Sequence, residues 1–525
     1  MKYSVVFRNV RIVALFTGLS RLFGFFREML MAYFFGTSLL KSAFDVAFRI
    51  PNLFRRIFGE GALSAAFIPV YVGEQEAHGK AAANRLASRF ISLLAGLLSM
   101  ISLLIMLLAF MLPRFIPLGE RAAEVLPLLR IMMPYMVFIC LVAFCMAVLN
   151  AKGHFAVPAA TPLLLNLVWI LVLLFVCPHI EDPRLRIHMV GWGIVLAGIV
   201  QLAVQFPVLR RKGVELHWDA AWNAGAVREV MGLMVPAALG MGALQINVVI
   251  DGFLALWVAE WAPAALTYAE RLIYLPLGIF ATALGTVLLP TFSKYAARSD
   301  YAAIRHNLNS SMRALLVVMT PAAVGLIMLA HPIVALVFVW RGGAFYGDSV
   351  WQTVRALRFY APGLVVFSLY KLMAPTFYAM KDTRTPLRIG LIAVVLNFVM
   401  NVAFILTWPT GYKHAGLAAA TVLSSLFNGL ALAFILRRRI GKIGWPRILK
   451  TLLRTLWASL VMGMVAGYVW TAAGGGVNGG KPAETVALLA GISVGVVVYF
   501  LLALVLFRDD VRTLFRAKDK PPKMK

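Results

Sequence analysis

Fourteen stretches of this chain are long and apolar enough to cross a bilayer. They are roughly residues 10–35, 42–72, 88–112, 122–149, 158–177, 189–209, 229–257, 264–293, 310–340, 350–380, 387–408, 414–436, 451–472 and 485–507. A hydrocarbon core takes about 20 residues of helix. Inside it every backbone N–H and C=O must be satisfied within the segment, so apolar runs of this length fold as helices. The expected fold class is an all-α polytopic membrane protein with about 14 transmembrane helices. Composition agrees, since 61% of the 525 residues are hydrophobic and 14% charged, where a soluble domain carries about 25% charge. That excludes an ordinary soluble enzyme, a disordered chain and a secreted disulfide scaffold. Lys2, Arg8 and Arg11 precede the first run, but Arg21 and Arg27 interrupt it and no small-residue cleavage site follows. It reads as a retained span rather than a signal peptide. The ninth span has a second natural end near His331-Pro332. Cys140, Cys145 and Cys177 form no C-x-x-C pair, so no disulfide or zinc framework is legible.

The net charge is +28, which in a soluble protein would suggest nucleic acid. Its placement argues otherwise. With both termini on one side, and with Arg11, Arg89, Arg313, Arg388 and Arg454 at the span ends counted there, that side carries 32 of the 50 Lys and Arg, the opposite loops eight (Lys41 among them) and the span interiors ten. The positive-inside rule makes the rich side cytoplasmic. The Arg437-Arg438-Arg439 linker and the tail from Arg508 then lie against anionic lipid, and no nucleic-acid partner is expected.

The chain also repeats. Arg49-Ile-Pro-Asn-Leu-Phe-Arg-Arg-Ile57-Phe58 resembles Arg271-Leu-Ile-Tyr-Leu-Pro-Leu-Gly-Ile279-Phe280 at an offset of 222. Asn150-Ala-Lys-Gly-His-Phe-Ala-Val-Pro158 resembles Tyr378-Ala-Met-Lys-Asp-Thr-Arg-Thr-Pro386 at an offset of 228. Both matches lie six spans apart, an even number, so the expected organisation is two parallel six-helix halves, 1–225 and 226–440. Residues 441–525 add a basic linker, two further helices outside the repeat and a basic tail. Transporters of this build bind substrate between their halves, and the halves are not expected to need the extra pair in order to pack.

Charge inside the spans marks the candidate site, because a mid-helix arginine costs about 2.5–3.5 kcal/mol on insertion scales. The first two spans hold Arg21, Arg27, Arg49, Arg55 and Arg56 against Glu28, Asp45 and Glu60. Span eight adds Glu270 and Arg271, and span ten Lys371. Arg130, Arg355 and Arg358 lie nearer an interface and can snorkel. At helical spacing Asp45, Arg49, Asn52, Arg56 and Glu60 share one stripe, with Arg55 off it. Ion pairing alone would lock helices together, but five cations against three acids leave an excess that favours an anion. Arginine forks match phosphate oxygens, so the expected cargo is anionic and phosphorylated. Asp251 stands apart in span seven. With Asn397, Asn401 and Thr421 it makes a candidate site for a monovalent cation, the alternative being interhelical hydrogen bonds worth about 0.6 kcal/mol each.

No H-E-x-x-H or C-x-x-C motif is present. Gly475–Lys481 mimics a P-loop, but Pro482 stands where Ser or Thr must hold magnesium. No enzymatic activity and no bound cofactor are expected. Energy is left to Na+ or H+ coupling, to the membrane potential or to substrate flow.

Four stretches carry a resemblance: Ser20-Arg-Leu-Phe-Gly-Phe-Phe-Arg-Glu28, Pro51-Asn-Leu-Phe-Arg-Arg-Ile-Phe-Gly-Glu-Gly61, Tyr268-Ala-Glu-Arg271 and Phe377-Tyr-Ala with Thr385-Pro386. On these the chain resembles the MurJ (MviN) lipid II flippases of the multidrug/oligosaccharidyl-lipid/polysaccharide exporter superfamily, over nearly its whole length. The resemblance implies a carrier in the bacterial inner membrane that turns undecaprenyl-diphosphate-linked peptidoglycan precursor from the cytoplasmic to the periplasmic leaflet by alternating access. It implies cavity arginines at Arg21, Arg27, Arg55 and Arg271, with the acid Glu28. It implies a groove along the last two spans for the prenyl tail, a monomeric carrier and the cell-wall synthesis machinery as partner. The chain departs from some members at Ser42, Tyr274 and Asn401, where they carry acids. Two alternatives remain at this level: a flippase of another lipid-linked oligosaccharide, or a drug/cation antiporter of the same superfamily. The antiporter is disfavoured by the positive sign of the chamber.

Overall fold

The computed structural model describes residues 3–58, 63–117, 119–222, 225–476 and 480–515. Among them the fold is all helical, with no strand. Ten helices are long and apolar enough to cross a membrane by length and composition. The other four expected spans, 10–35, 42–72, 264–293 and 350–380, hold most of the charges singled out above, and they too are built of helices.

The chain divides into two compact units. The first, residues 1–264 with 342–344, holds α1 (Tyr3–Phe35), α2 (Leu39–Ile57), α3 (Leu63–Phe115), α4 (Glu120–Ala151), α5 (Ala156–Leu171), α6 (Pro183–Ala203), α7 (Gln205–Arg211) and α8 (Gly225–Val258). Span two is divided. Its first part is α2, and its second opens α3, which continues into span three through a non-helical Gly79 at φ +81°, a conformation glycine adopts without strain. Ser38 caps α2 by accepting the Lys41 amide, and Asp182 caps α6 by accepting from Arg184 and Leu185. The core is aromatic where α3 meets α4, with Phe67 and Phe144 edge to face at 4.7 Å. Beyond α7 the chain runs along α3. Ser88 and Ser92 accept the amides of His217 and Asp219, and Asn84 donates to Gly213. This polar row supplies partners to backbone that no helix satisfies. The Ala221 amide, then the Arg89 guanidinium, hold the Asp219 carboxyl below its usual pKa.

The second unit, 265–341 and 345–525, holds α9 (Ala262–Pro276, from residue 265), α10 (Thr282–Ala297), α11 (Tyr301–Met328), α12 (Ala330–Phe338), α13 (Asp348–Tyr360), α14 (Gly363–Ala379), α15 (Arg384–Thr407), α16 (Lys413–Ile440), α17 (Trp445–Ala472), α18 (Gly480–Leu506) and α19 (Arg508–Phe515). The ninth span breaks at Leu329, just before His331-Pro332. Helices α17 and α18 pack closely: a Cβ on Gly491 would sit 2.6 Å from the Ala466 carbonyl oxygen, so only glycine fits. The pair is also tied to its own unit at both ends. Asp510 of α19 pairs with Arg313 of α11 and accepts from Thr451 of α17 at 2.7 Å. Lys481 donates to the Val339 carbonyl and lies 3.9 Å from the centre of the Trp340 ring. Asp510 is 6% exposed, and removing one member of a buried pair costs about 3–5 kcal/mol. Asp510→Ala is therefore expected to lower the Tm of the purified protein sharply. An unchanged melting curve would remove the pair from the account.

The two loops that match at offset 228 share one backbone turn. Gly153 (φ +72°) and Lys381 (φ +61°) are both left-handed. His154 donates to Leu149 at 2.9 Å, and Asp382 to Phe377 at 3.0 Å. The second turn is braced by Asp382, which accepts from the Thr385 amide and hydroxyl and pairs with Arg439. Burial alone would raise the Asp382 carboxyl, but these contacts outweigh it and hold the pKa below its usual value.

Candidate functional site

The charged residues of spans one and two form two groups.

The first group is buried. Arg27 of α1 is 6% exposed and Glu28 3%. The Arg27 guanidinium donates to Glu28 Oε1 at 2.5 Å and to Asn166 Oδ1 of α5 at 2.9 Å. It also lies 4.0 Å from the centre of the Trp169 ring, a cation–π contact. Asn166 is itself fixed, donating to the Ser20 carbonyl at 2.9 Å and packing over Gly24. Lys41, placed by the charge count in an external loop, is instead in the first turn of α2 and 1% exposed. Its Nζ is 2.6 Å from both oxygens of Asp45 and 3.8 Å from Glu28 Oε2. The Ser38 cap starts α2 early enough to carry Lys41 inside. This corrects the loop count by one.

The second group rests on α8. Arg49 donates to the Val248 carbonyl at 2.8 Å, and Arg56 to Gln245 Oε1 at 2.9 Å. Arg55, off the stripe, donates to Asn52 Oδ1 at 2.7 Å. Each of these contacts is to a neutral oxygen, which directs the guanidinium. Arg21 is half-buried on α1. Glu60 lies outside the described residues. Ser42, fully buried, accepts the Ala264 amide at 3.3 Å.

In the second unit Arg271 and Glu270 are half-buried on α9, and Tyr360 donates to Glu270 at 3.1 Å. Tyr274 is 47% exposed, and Lys371 is half-buried on α14. Asn401 donates to Asn397 Oδ1 at 2.9 Å, Asn397 to Ser424 at 3.3 Å, and Thr421 to the Leu417 carbonyl at 3.0 Å. Of these, the Asn397–Ser424 contact joins α15 to α16. Asp251 belongs to the first unit and accepts from Asn247 at 3.1 Å. Among the described residues no group of three or more His, Cys, Asp or Glu gathers as a metal set.

Sequence reasoning missed Lys41, Asn166 and Trp169. The i,i+4 spacing of Lys41 and Asp45 was a signal for the first. A lone amide in the apolar run 158–177 was one for the second, with Trp169 three residues on. The assembled group can hold an arginine fork in place while keeping it beside a carboxylate that a stronger anion could displace.

A family model described as "Lipid II flippase MurJ" matches residues 31–475. The chain is 32% identical to the "Lipid II flippase MurJ" of Burkholderia cenocepacia over 92% of this chain and 94% of that one. It is 33% identical to a "Probable lipid II flippase MurJ" of Rhizobium tropici, over 96% and 95%. Among solved structures it is similar to "Lipid II flippase MurJ, inward closed conformation", with a TM-score of 0.76 and 26% identity over 95% of this chain and 99% of that one. It shares its fold with an inward-facing multidrug resistance MATE family transporter, with a TM-score of 0.67 and 14% identity over 81% and 95%.

Proposed function

This chain belongs to the lipid II flippase MurJ family, and from that premise we propose that it carries lipid II across the bacterial inner membrane for peptidoglycan synthesis, with the diphosphate held by the arginines of its first two spans. The observation that carries the reading is Arg27: a buried guanidinium held by a carboxylate, an amide and an indole face. A diphosphate presents paired oxygens to such forks. Arg21 and Arg55 complete the proposed set in the first unit and Arg271 in the second, while Asp45, Arg49, Asn52, Arg56, Glu60, Glu270 and Lys371 take supporting or gating roles.

The shared turn at 149–158 and 377–386 supports two repeated halves, 1–225 and 226–440, with 441–525 appended. The charge asymmetry supports cytoplasmic termini. The protein moves lipid as a monomer without making or breaking a covalent bond. Cell-wall synthesis enzymes act at its product side, and anionic lipids meet its basic linkers.

Purified protein in vesicles of defined lipid should bring lipid II from the inner to the outer leaflet, where an added glycosyltransferase can consume it. It should return the lipid chemically unchanged. Retention of all lipid II in the inner leaflet would remove the reading. Transport of a cationic dye in place of the anionic lipid would favour the antiporter.

Coupling to Na+, to H+ or to the membrane potential is assigned to Asp251, a carboxylate that accepts from the Asn247 amide. Asn397, Asn401 and Thr421 would supply neutral oxygens only. Asp251→Asn is expected to weaken ion dependence of transport while precursor binding persists. Equal loss of precursor binding in Asp251→Asn and Arg27→Ala would contradict separate roles.

A further inference from the structure

Lys41 has no role in the reading so far, yet its ammonium is among the most deeply buried charges of the first unit, at 1% exposure. Its Nζ faces both oxygens of Asp45 at 2.6 Å. It also faces Glu28 Oε2 at 3.8 Å, while the other oxygen of Glu28 takes the Arg27 guanidinium at 2.5 Å. Glu28 therefore turns one oxygen toward each cation. Asp45, Lys41, Glu28 and Arg27 form a chain of alternating charge, two negative and two positive. In a site of low dielectric each of these charges acts strongly on the next, so the hold of Glu28 on Arg27 depends on how much of the Glu28 charge Lys41 takes up.

We infer that Lys41 is a positioning residue of the anion site: by sharing Glu28 it loosens the grip of that carboxylate on Arg27 and leaves the guanidinium transferable to the substrate diphosphate. The inference rests on Arg27 being a substrate ligand. An incoming diphosphate competes with Glu28 for the same N–H groups. With Lys41 present, a displaced Glu28 keeps a cation beside it and is not stranded. Without Lys41, Glu28 loses a cation that faces its second oxygen, and the exchange becomes less favourable.

Lys41→Met alone would leave Asp45 buried without its closest cation and endanger folding. The informative protein is therefore Lys41→Met with Asp45→Asn, which removes one charge of each sign. It is compared with the same pair plus Glu28→Gln. The probe is undecaprenyl diphosphate in detergent, with affinity measured by titration, and melting temperature and membrane abundance taken in parallel. The double variant should fold at normal abundance and bind roughly tenfold more weakly, a loss of about 1.4 kcal/mol. The triple variant should regain most of that loss. If the double variant binds as tightly as the parent, Lys41 serves only to neutralise Asp45 and the inference is overturned. If the triple variant stays as weak as the double, Glu28 is not the route and the inference fails equally. Arg27→Ala in the same assay separates the two levels. Parental affinity there would overturn the anion-site reading itself, whereas weak binding by Arg27→Ala beside parental binding by the double variant would overturn only the role of Lys41.

Discussion

Arg27→Ala combined with Glu28→Gln is expected to give a protein that reaches the membrane at near-normal abundance and fails to export precursor. Arg27→Ala alone is a poorer test. It leaves Glu28 buried, with its 2.5 Å partner gone and Lys41 at 3.8 Å, and breaking a buried pair costs about 3–5 kcal/mol. Removing both charges takes away that penalty. If the arginine is present only to lock α1, the double variant should recover function together with stability. If it binds the diphosphate, stability returns and function does not. Arg27→Lys sharpens the point, because an ammonium keeps the charge but cannot offer two parallel N–H groups to paired oxygens. The loss of one charge-assisted contact is about 1.5–3 kcal/mol, or roughly one to two decades in affinity. Arg55→Lys and Arg271→Lys should behave alike. Growth supported by the double variant as well as by the parent, with immunoblots of the membrane fraction matched, would refute the assignment.

Removal of residues 445–525 is the second large effect. From the repeat alone, the two halves should pack without the extra helices, so the truncated chain should insert well and transport poorly. The packing of the second unit changes the first half of that expectation. Thr320 of α11 is 2% exposed, and Thr455 of α17 lies against it. Asn309 donates to the Ile443 and Gly444 carbonyls, and Arg313 pairs with Asp510. Truncation would take Asp510 from Arg313 and uncover the buried Thr320 that Thr455 now covers. Abundance should fall severalfold. Arg313→Leu in the truncated chain should restore much of it without restoring export, since a prenyl chain still lacks the apolar surface of α17 and α18. Full complementation by the truncated protein at matched abundance would sink this account of the pair.

The helical, membrane-spanning fold class was legible because lipid leaves a chain few choices: every backbone polar group must be satisfied within the span. The four charged runs 10–35, 42–72, 264–293 and 350–380 lie on helices as well, but are not among the ten helices apolar enough to cross a membrane by composition. What could not be read was how the charges pair. The 3.6-residue period places Asp45, Arg49, Asn52 and Arg56 on one side of α2, but it cannot say that Arg49 and Arg56 lean on Val248 and Gln245, some 190 residues away. Asn166 and Trp169 reach Arg27 from another helix for the same reason. Lys41 was misplaced by a matter of one turn. A span boundary is uncertain by several residues, and whether Ser38 or a later residue caps α2 decides whether the lysine meets water or Asp45.

The central claim is that this protein moves a diphosphate-linked lipid to the outer leaflet through the Arg27 cluster. The most direct measurement is made in its own host, with the chromosomal copy depleted and either the parent or the Arg27→Ala, Glu28→Gln protein supplied at equal abundance. The lipid-linked precursor that can be reached by a membrane-impermeant cleaving enzyme is then compared with the total. The account predicts that the total rises with the variant while the accessible fraction collapses. An accessible fraction equal to that of the parent, at equal abundance, would contradict it.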